Sequence, residues 1–187
     1  MSREHKVSMC RKCNHPLCNP FSMLRAGVMV IVQINDHILL GLDRKKDNPE
    51  FSGHLGGCSG HLEDIDDRCH IACACRELKE EFKLVLTPQQ FIDGLVHVEM
   101  FERIPVYVYR DDSIDFAILR EKVKKDCETL PKTSAYAEIS NIFLRNLRYF
   151  ADKKSKNKII PITRNTVNAI FNTTYYRYDR ILIYAKK

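Results

Sequence analysis

Apolar positions in the first half of the chain cluster in two short, β-branched runs. Gly27-Val28-Met29-Val30-Ile31-Val32-Gln33-Ile34 is short and rich in valine and isoleucine, which predicts a buried strand. Asn35-Asp36 is turn chemistry, and His37-Ile38-Leu39-Leu40-Gly41-Leu42 returns as its hairpin partner. A glycine-bearing loop from Phe51 to Gly60 follows. The acidic stretch after it, Glu63 to Asp67, offers helix N-caps and suits the positive end of a helix dipole. From about Asp67 to Lys83 the spacing becomes helical: Ile71, Cys75, Leu78 and Phe82 fall on one narrow apolar stripe that should face the core. Leu95 to Met100 and Ile104 to Arg110 read as strands, Ser113 to Cys127 as a helix, and Ile139 to Leu144 as a strand. Arg148 to Lys158 reads as a lysine-bearing linker, Thr163 to Asn172 as a helix, and Arg180 to Lys187 as a short strand-like tail. Strands and helices without regular alternation predict an α/β chain, either α+β or an α/β/α sandwich.

Length narrows this to one domain, since 187 residues can bury one sizeable core but not two. Residues 1–24 form a cysteine-rich head and residues 25–187 the domain proper. With 44% hydrophobic and 29% charged residues, neither disorder nor a fibrous repeat is indicated. The longest apolar run, Ala26 to Val32, is far short of the roughly 20 residues that span a bilayer, and no apolar stretch follows the opening residues, so no membrane partner is expected. A cytoplasmic location follows as the expectation, and the eight cysteines are then thiols or metal ligands. The net charge of +6 allows a nucleotide or RNA partner. Nothing in the sequence sets an oligomeric state.

Glu77, Glu80 and Glu81 share a stripe beside the apolar one, and three carboxylates so placed repel by about 0.2–0.5 kcal/mol per pair. On a solvated face, Arg76 with Glu80 and Glu80 with Lys83 would offset that repulsion. The other reading is a cation site: clustered oxygen donors suit Mg²⁺ or Mn²⁺, ions that commonly bind a few carboxylates together with substrate phosphates. The glycine turn Gly56-Gly57 just upstream can bring bare backbone close to the same ion.

Gly57, five residues, Glu63, and then Arg76-Glu77-Leu78-Lys79-Glu80-Glu81-Phe82-Lys83-Leu84 resembles the Nudix box, whose pattern is G, five residues, E, seven residues, R-E-U-x-E-E-x-G-U. The preceding hairpin, the later strands and Ala137-Glu138-Ile139 extend the resemblance over about residues 25 to 172. Within the family the chain looks most like the Nudix hydrolases of large DNA viruses, which include mRNA-decapping enzymes. The resemblance implies a Nudix-type α/β/α sandwich with a mixed central sheet. It further implies a hydrolase that cleaves a nucleoside diphosphate linked to another group, with Mg²⁺ or Mn²⁺ as cofactor. Glu77, Glu80 and Glu81 would be metal ligands or water-activating carboxylates, the Gly57 carbonyl a further ligand, and Glu138 an extra carboxylate from outside the box. Arg76 would pair with a carboxylate such as Glu63. The preferred substrate is then capped mRNA; the alternatives are a small nucleotide such as ADP-ribose or a damaged triphosphate, and an inactive nucleotide- or protein-binding module. Two departures stand out: twelve residues separate Glu63 from Arg76, and Lys83 replaces the helix-ending glycine. A left-handed lysine costs roughly 1 kcal/mol or more, so the helix is expected to end differently.

Other features carry weaker signals. Cys10-x-x-Cys13 with His15 and Cys18 could hold Zn²⁺, against a reading as reduced structural thiols. His70 and Cys73 lie on the glutamate stripe and could border the metal, against a reading as residues that fill space above the acids, and Cys58, Cys69 and Cys75 fit no pattern. Arg44-Lys45-Lys46 and the run Lys153 to Lys158 could meet RNA phosphates or be solvated. Arg44 and Phe51 are the candidate substrate contacts, with Tyr109 as another ring on which a base could stack.

Overall fold

The structure, a computed structural model, describes residues 10, 12–14, 27–44, 53–66, 68–101, 104–152 and 158–171. Strand β1 (Val28–Ile34) is covered on both faces, as a run that is apolar on both sides of its pleat requires. Asn35, in the left-handed region at φ 54, turns the chain into β2 (His37–Asp43), which pairs antiparallel with β1. Two short strands, β3 (Leu55–Gly56) and β4 (Cys58–Gly60), add to β2 and to the start of β1. The hairpin of β5 (Leu95–Phe101) and β6 (Ile104–Arg110) joins through a parallel pairing of β6 with β1, and β7 (Ile139–Asn146) lies antiparallel on β2. The result is a mixed seven-stranded sheet of order β3-β2-β1-β6-β5, with β4 on β1 and β7 on β2.

Alternation along β1 sorts its side chains into two cores. Val28, Val30, Val32 and Ile34 pack with helices α1 (His70–Phe82), α2 (Pro88–Asp93) and α3 (Phe116–Thr129). Met29 and Ile31 pack with Phe150 of α4 (Leu147–Ala151) and with Val167 and Ile170 of α5 (Pro161–Phe171). These three layers form an α/β/α sandwich with a mixed sheet, the arrangement the resemblance implies and one of the two the residue pattern leaves open.

The structure corrects several boundaries. Helix α1 starts at His70 rather than Asp67, because Asp64–Asp66 closes a separate 3-10 turn and Arg68 is left-handed at φ 59. Its N-cap is Cys69, and no acidic residue occupies its first turn, so the predicted acidic cap is replaced by a thiol. The glycine loop contains β3 and β4. Segment 148–158 is not simply a linker, since α4 fills its start and buries Phe150 completely. Helix α2 is an addition to the elements the pattern predicts; Thr87 and Gln90 form a capping box around Pro88, and a single fully buried side chain, Phe91, sets no periodicity. The remaining helices and β7 shift by one to three residues, and the strand-like tail 180–187 lies outside the described residues.

Candidate active site

The Ile71, Leu78 and Phe82 stripe of α1 is fully buried and Cys75 is half-buried, which turns the adjacent glutamate face towards β4. There a cleft of about 440 Å³ opens, lined by Glu77, Glu80 and Glu81, by Gly56, Gly57 and Gly60 at β3 and β4, and by Glu138 just before β7. The three glutamates converge on one concave surface. Gly60 is required by this approach: a Cβ there would lie 1.8 Å from Glu77 Oε1. A Cβ on Gly57 would come within 3.2 Å of the Val30 carbonyl oxygen, and the Gly57 amide donates to Thr163 Oγ1 at 3.0 Å.

Arg76 organises the acids. Its Nη1 lies 2.7 Å from Glu77 Oε1 and 3.0 Å from Glu80 Oε2, while Nε and Nη2 form a fork on Asp66 at 3.2 and 3.0 Å. Glu63, the partner predicted from the box, is a longer contact at 3.5 Å. The unexpected Asp66 is the buried one, 2% exposed, and it also accepts from the Glu63 amide. The extra residues between Glu63 and Arg76 thus deliver a second carboxylate to the arginine. No periodicity marks Asp66 in the sequence, where residue types in the acidic stretch point only to helix caps. Burial opposes the charge of Arg76, but the bonds to Asp66 and the charge of Glu77 hold its pKa above the usual guanidinium range.

Glu81 lies deepest. Its Oε2 accepts from the Ser59 amide at 3.2 Å, and the Cys58 thiol bonds its carboxylate. Burial first, and then the neighbouring charge of Glu77, push its pKa up to about 8. Burial raises Glu77 as well; Arg76 pulls it down, Glu80 and Glu138 push it up, and it settles at about 7. A carboxyl whose pKa is higher folded than unfolded binds its proton more tightly in the folded state. That contribution to stability is lost as the pH climbs through the folded value. The metal-free protein is therefore expected to melt lower by on the order of 5 °C between about pH 6 and about pH 9, with added Mg²⁺ restoring the loss. Melting curves in chelator across that range check it, and a melting temperature that rises with pH would contradict the burial of these acids.

The end of α1 departs from the sequence-based expectation. Lys83 does adopt the left-handed conformation, at φ 59, and its amide and that of Leu84 both donate to the Leu78 carbonyl oxygen. Its ammonium, 8% exposed at residue level, donates to the Glu80 and Tyr136 carbonyl oxygens, pairs with Asp126 at 3.2 Å and sits 4.9 Å from the centre of the Tyr136 ring. These bonds hold the 3-10 turn Ala135–Ala137, and with it Glu138, against α1.

Other predicted residues are distributed differently. Arg44 donates through Nη1 to the carbonyl oxygen and sulfur of Cys127 at 2.7 and 3.0 Å, and its side chain does not line the cleft. Tyr109 is 3% exposed and stacks on Phe91 in the core, so it is no platform for a base. Phe51, Lys45, Lys46, His15, Cys18 and the lysines from 153 to 156 lie outside the described residues. His70 and Cys73 are buried, and Cys73 bonds the His61 carbonyl oxygen, consistent with the space-filling reading. No helix among the described residues is long and apolar enough to cross a membrane.

Six carboxylates line the cleft among the described residues, Asp43, Glu63, Glu77, Glu80, Glu81 and Glu138, and Arg76 is the only lysine or arginine with them. Such a surplus of hard oxygen donors fits divalent cations of the Mg²⁺ or Mn²⁺ type. The cleft volume lies in the range of small-molecule sites.

No protein-family model and no curated protein matches the chain. Among solved structures, it is similar to a bifunctional NMN adenylyltransferase/ADP ribose pyrophosphatase from Francisella tularensis complexed with AMP and a Mn ion. That match has 17% identity and a TM-score of 0.54, over 79% of this chain and 41% of that one. A second structure of the bifunctional protein gives 19% identity and a TM-score of 0.54, over 79% and 40%. A NUDIX hydrolase from Nitrosomonas europaea matches at 14% identity and a TM-score of 0.48, over 87% of this chain and 99% of that one. The chain spans about two fifths of the length of the bifunctional protein. At such identities the likeness extends to the fold alone.

Proposed function

We propose that the chain is a Mg²⁺- or Mn²⁺-dependent hydrolase of the Nudix type, cleaving a nucleoside diphosphate linkage by attack of water at phosphorus. The observation that carries this reading is the convergence of Glu77, Glu80 and Glu81 on one cleft beside Gly56 and Gly57, with a single arginine set against six carboxylates. Glu80 and Glu81 would hold the metal with the Gly57 carbonyl, Glu77 would hold metal or orient the attacking water, and Glu138 would add a ligand from the opposite wall. When bound, the divalent ions supply Lewis acidity at the phosphate oxygens and lower the pKa of a bound water. The chain's own part is placement. Arg76 fixes the rotamers of Glu77 and Glu80, the Ser59 amide aims Glu81, and Lys83 keeps the Glu138 turn against the helix.

For the substrate, the ADP ribose pyrophosphatase named in the similar structure favours a small nucleoside diphosphate sugar such as ADP-ribose. Capped RNA is the second reading, resting on the net charge of +6. A catalytically idle binding module fits poorly, because buried acids with raised pKa values weaken the fold unless a cation uses them. A manganese-supplemented hydrolysis panel of ADP-ribose, capped RNA, cap analogue and nucleoside triphosphates separates these readings. Turnover of ADP-ribose or cap, lost on chelation, is expected. A folded protein inert towards the whole panel would overturn the assignment as an enzyme.

A further inference from the structure

Away from the cleft, the described residues bring together one more set of metal-ligating atoms. The sulfurs of Cys10, Cys13 and Cys69 lie within 4.8 Å of one another. Two come from the N-terminal head and the third from a position 56 residues later, so the fold itself assembles the group. The head residues form a turn: the Asn14 amide donates to the Cys10 carbonyl oxygen at 2.8 Å, and Asn14 is left-handed at φ 50, which places both thiols of the Cys-x-x-Cys on one side. The Lys12 ammonium donates to the Ile65 carbonyl oxygen and ties this turn to the segment that leads into α1. Cys69 is the N-cap of α1, completely buried, with its sulfur accepting from the Ala72 amide at 3.3 Å. A helix N-terminus favours the thiolate over the thiol.

We propose that Cys10, Cys13 and Cys69 bind Zn²⁺ and so staple the N-terminal head to the start of the helix that carries the acidic cleft. No disulfide joins any of the three. Tetrahedral Zn²⁺ with bonds of about 2.3 Å holds its sulfurs about 3.8 Å apart, a spacing this cluster reaches by small side-chain rotations. A disulfide would instead require about 2.05 Å between two of them and leave the third alone. Soft thiolates select zinc over the hard ions suited to the carboxylate cleft, so the two sites differ in the metal they prefer. The fourth corner falls to water or to a further nitrogen or sulfur donor. This set shares Cys10 and Cys13 with the one expected from sequence and adds Cys69, which the linear spacing could not reveal; His15 and Cys18 lie outside the described residues.

The test is metal content. Full-length protein purified under reducing conditions from zinc-supplemented cells, then desalted, is expected to carry about one zinc per chain. Substitution with Co²⁺ should give thiolate-to-cobalt charge-transfer absorption. Cys10→Ser and Cys69→Ser should each lower retained zinc at least tenfold, while Cys127→Ser on α3 and Glu81→Gln in the cleft keep it. Should Cys69→Ser fail to fold, Cys10→Ser on the half-buried turn gives the same readout. Wild-type protein that retains no zinc, full retention in Cys10→Ser, or a Cys10–Cys13 disulfide in the reduced preparation would each overturn the proposal.

Discussion

Glu81→Gln is expected to lower metal-dependent turnover about 10³-fold, equivalent to about 4 kcal/mol of lost transition-state stabilisation. The side chain is nearly isosteric, so the cleft keeps its shape and the Ser59 amide keeps an oxygen to bond. What disappears is the charge that would hold a cation under the proposed function. The same change should raise the melting temperature of the metal-free protein above neutral pH, because a neutral amide replaces a buried carboxylate whose pKa has been pushed up to about 8. Opposite movements of activity and apo stability distinguish a ligand from a structural residue, which would lose both together. Steady-state kinetics with Mn²⁺ and melting curves in chelator read the two effects. Wild-type turnover in folded Glu81→Gln would remove Glu81 from the metal site.

Arg76→Met should be the most damaging single change to stability, at about 3–5 kcal/mol, the usual consequence of leaving buried charges without their partner. Methionine fills much of the volume but abandons Asp66, whose side chain is 3% exposed, together with Glu77 and Glu80. A fall in melting temperature of roughly 10 °C is expected for a chain of this size. The deficit should shrink as the pH is lowered, since the abandoned acids can then take up protons, and it should shrink on adding Mn²⁺. Arg76→Lys should recover only part of the loss, because an ammonium cannot reproduce the fork on Asp66 while reaching Glu77 and Glu80. A melting temperature within a degree or two of wild type would mean that the acids do not depend on this arginine.

The parts of the molecule that the sequence revealed are those governed by a period. The β1–β2 hairpin and the apolar stripe of α1 repeat at two and at about 3.6 residues, and the glutamate stripe follows from the second, so residue spacing alone locates the acidic face. Features set by one contact left no such trace. Asp66 reaches Arg76 by way of a 3-10 turn, Cys69 meets Cys10 and Cys13 across a long sequence gap, and β3 and β4 are too short to alternate. Helix α2 is a different case: Thr87-Pro88-Gln89-Gln90 spells a capping box that could have been recognised from residue types alone. Tyr109 departs from its expected role because an aromatic on a strand faces the core or solvent according to pleat parity, and here parity sends it inward against Phe91.

Lys83 has a mechanical consequence. A glycine there would end α1 without strain but would have no arm to reach the 135–137 turn and Asp126. With lysine, the two walls of the cleft are latched at the rim by a single ammonium. The three pieces it joins, helix α1, the Glu138 turn and the end of α3, thus share one cross-link, and Lys83→Gly would sever all of it at once.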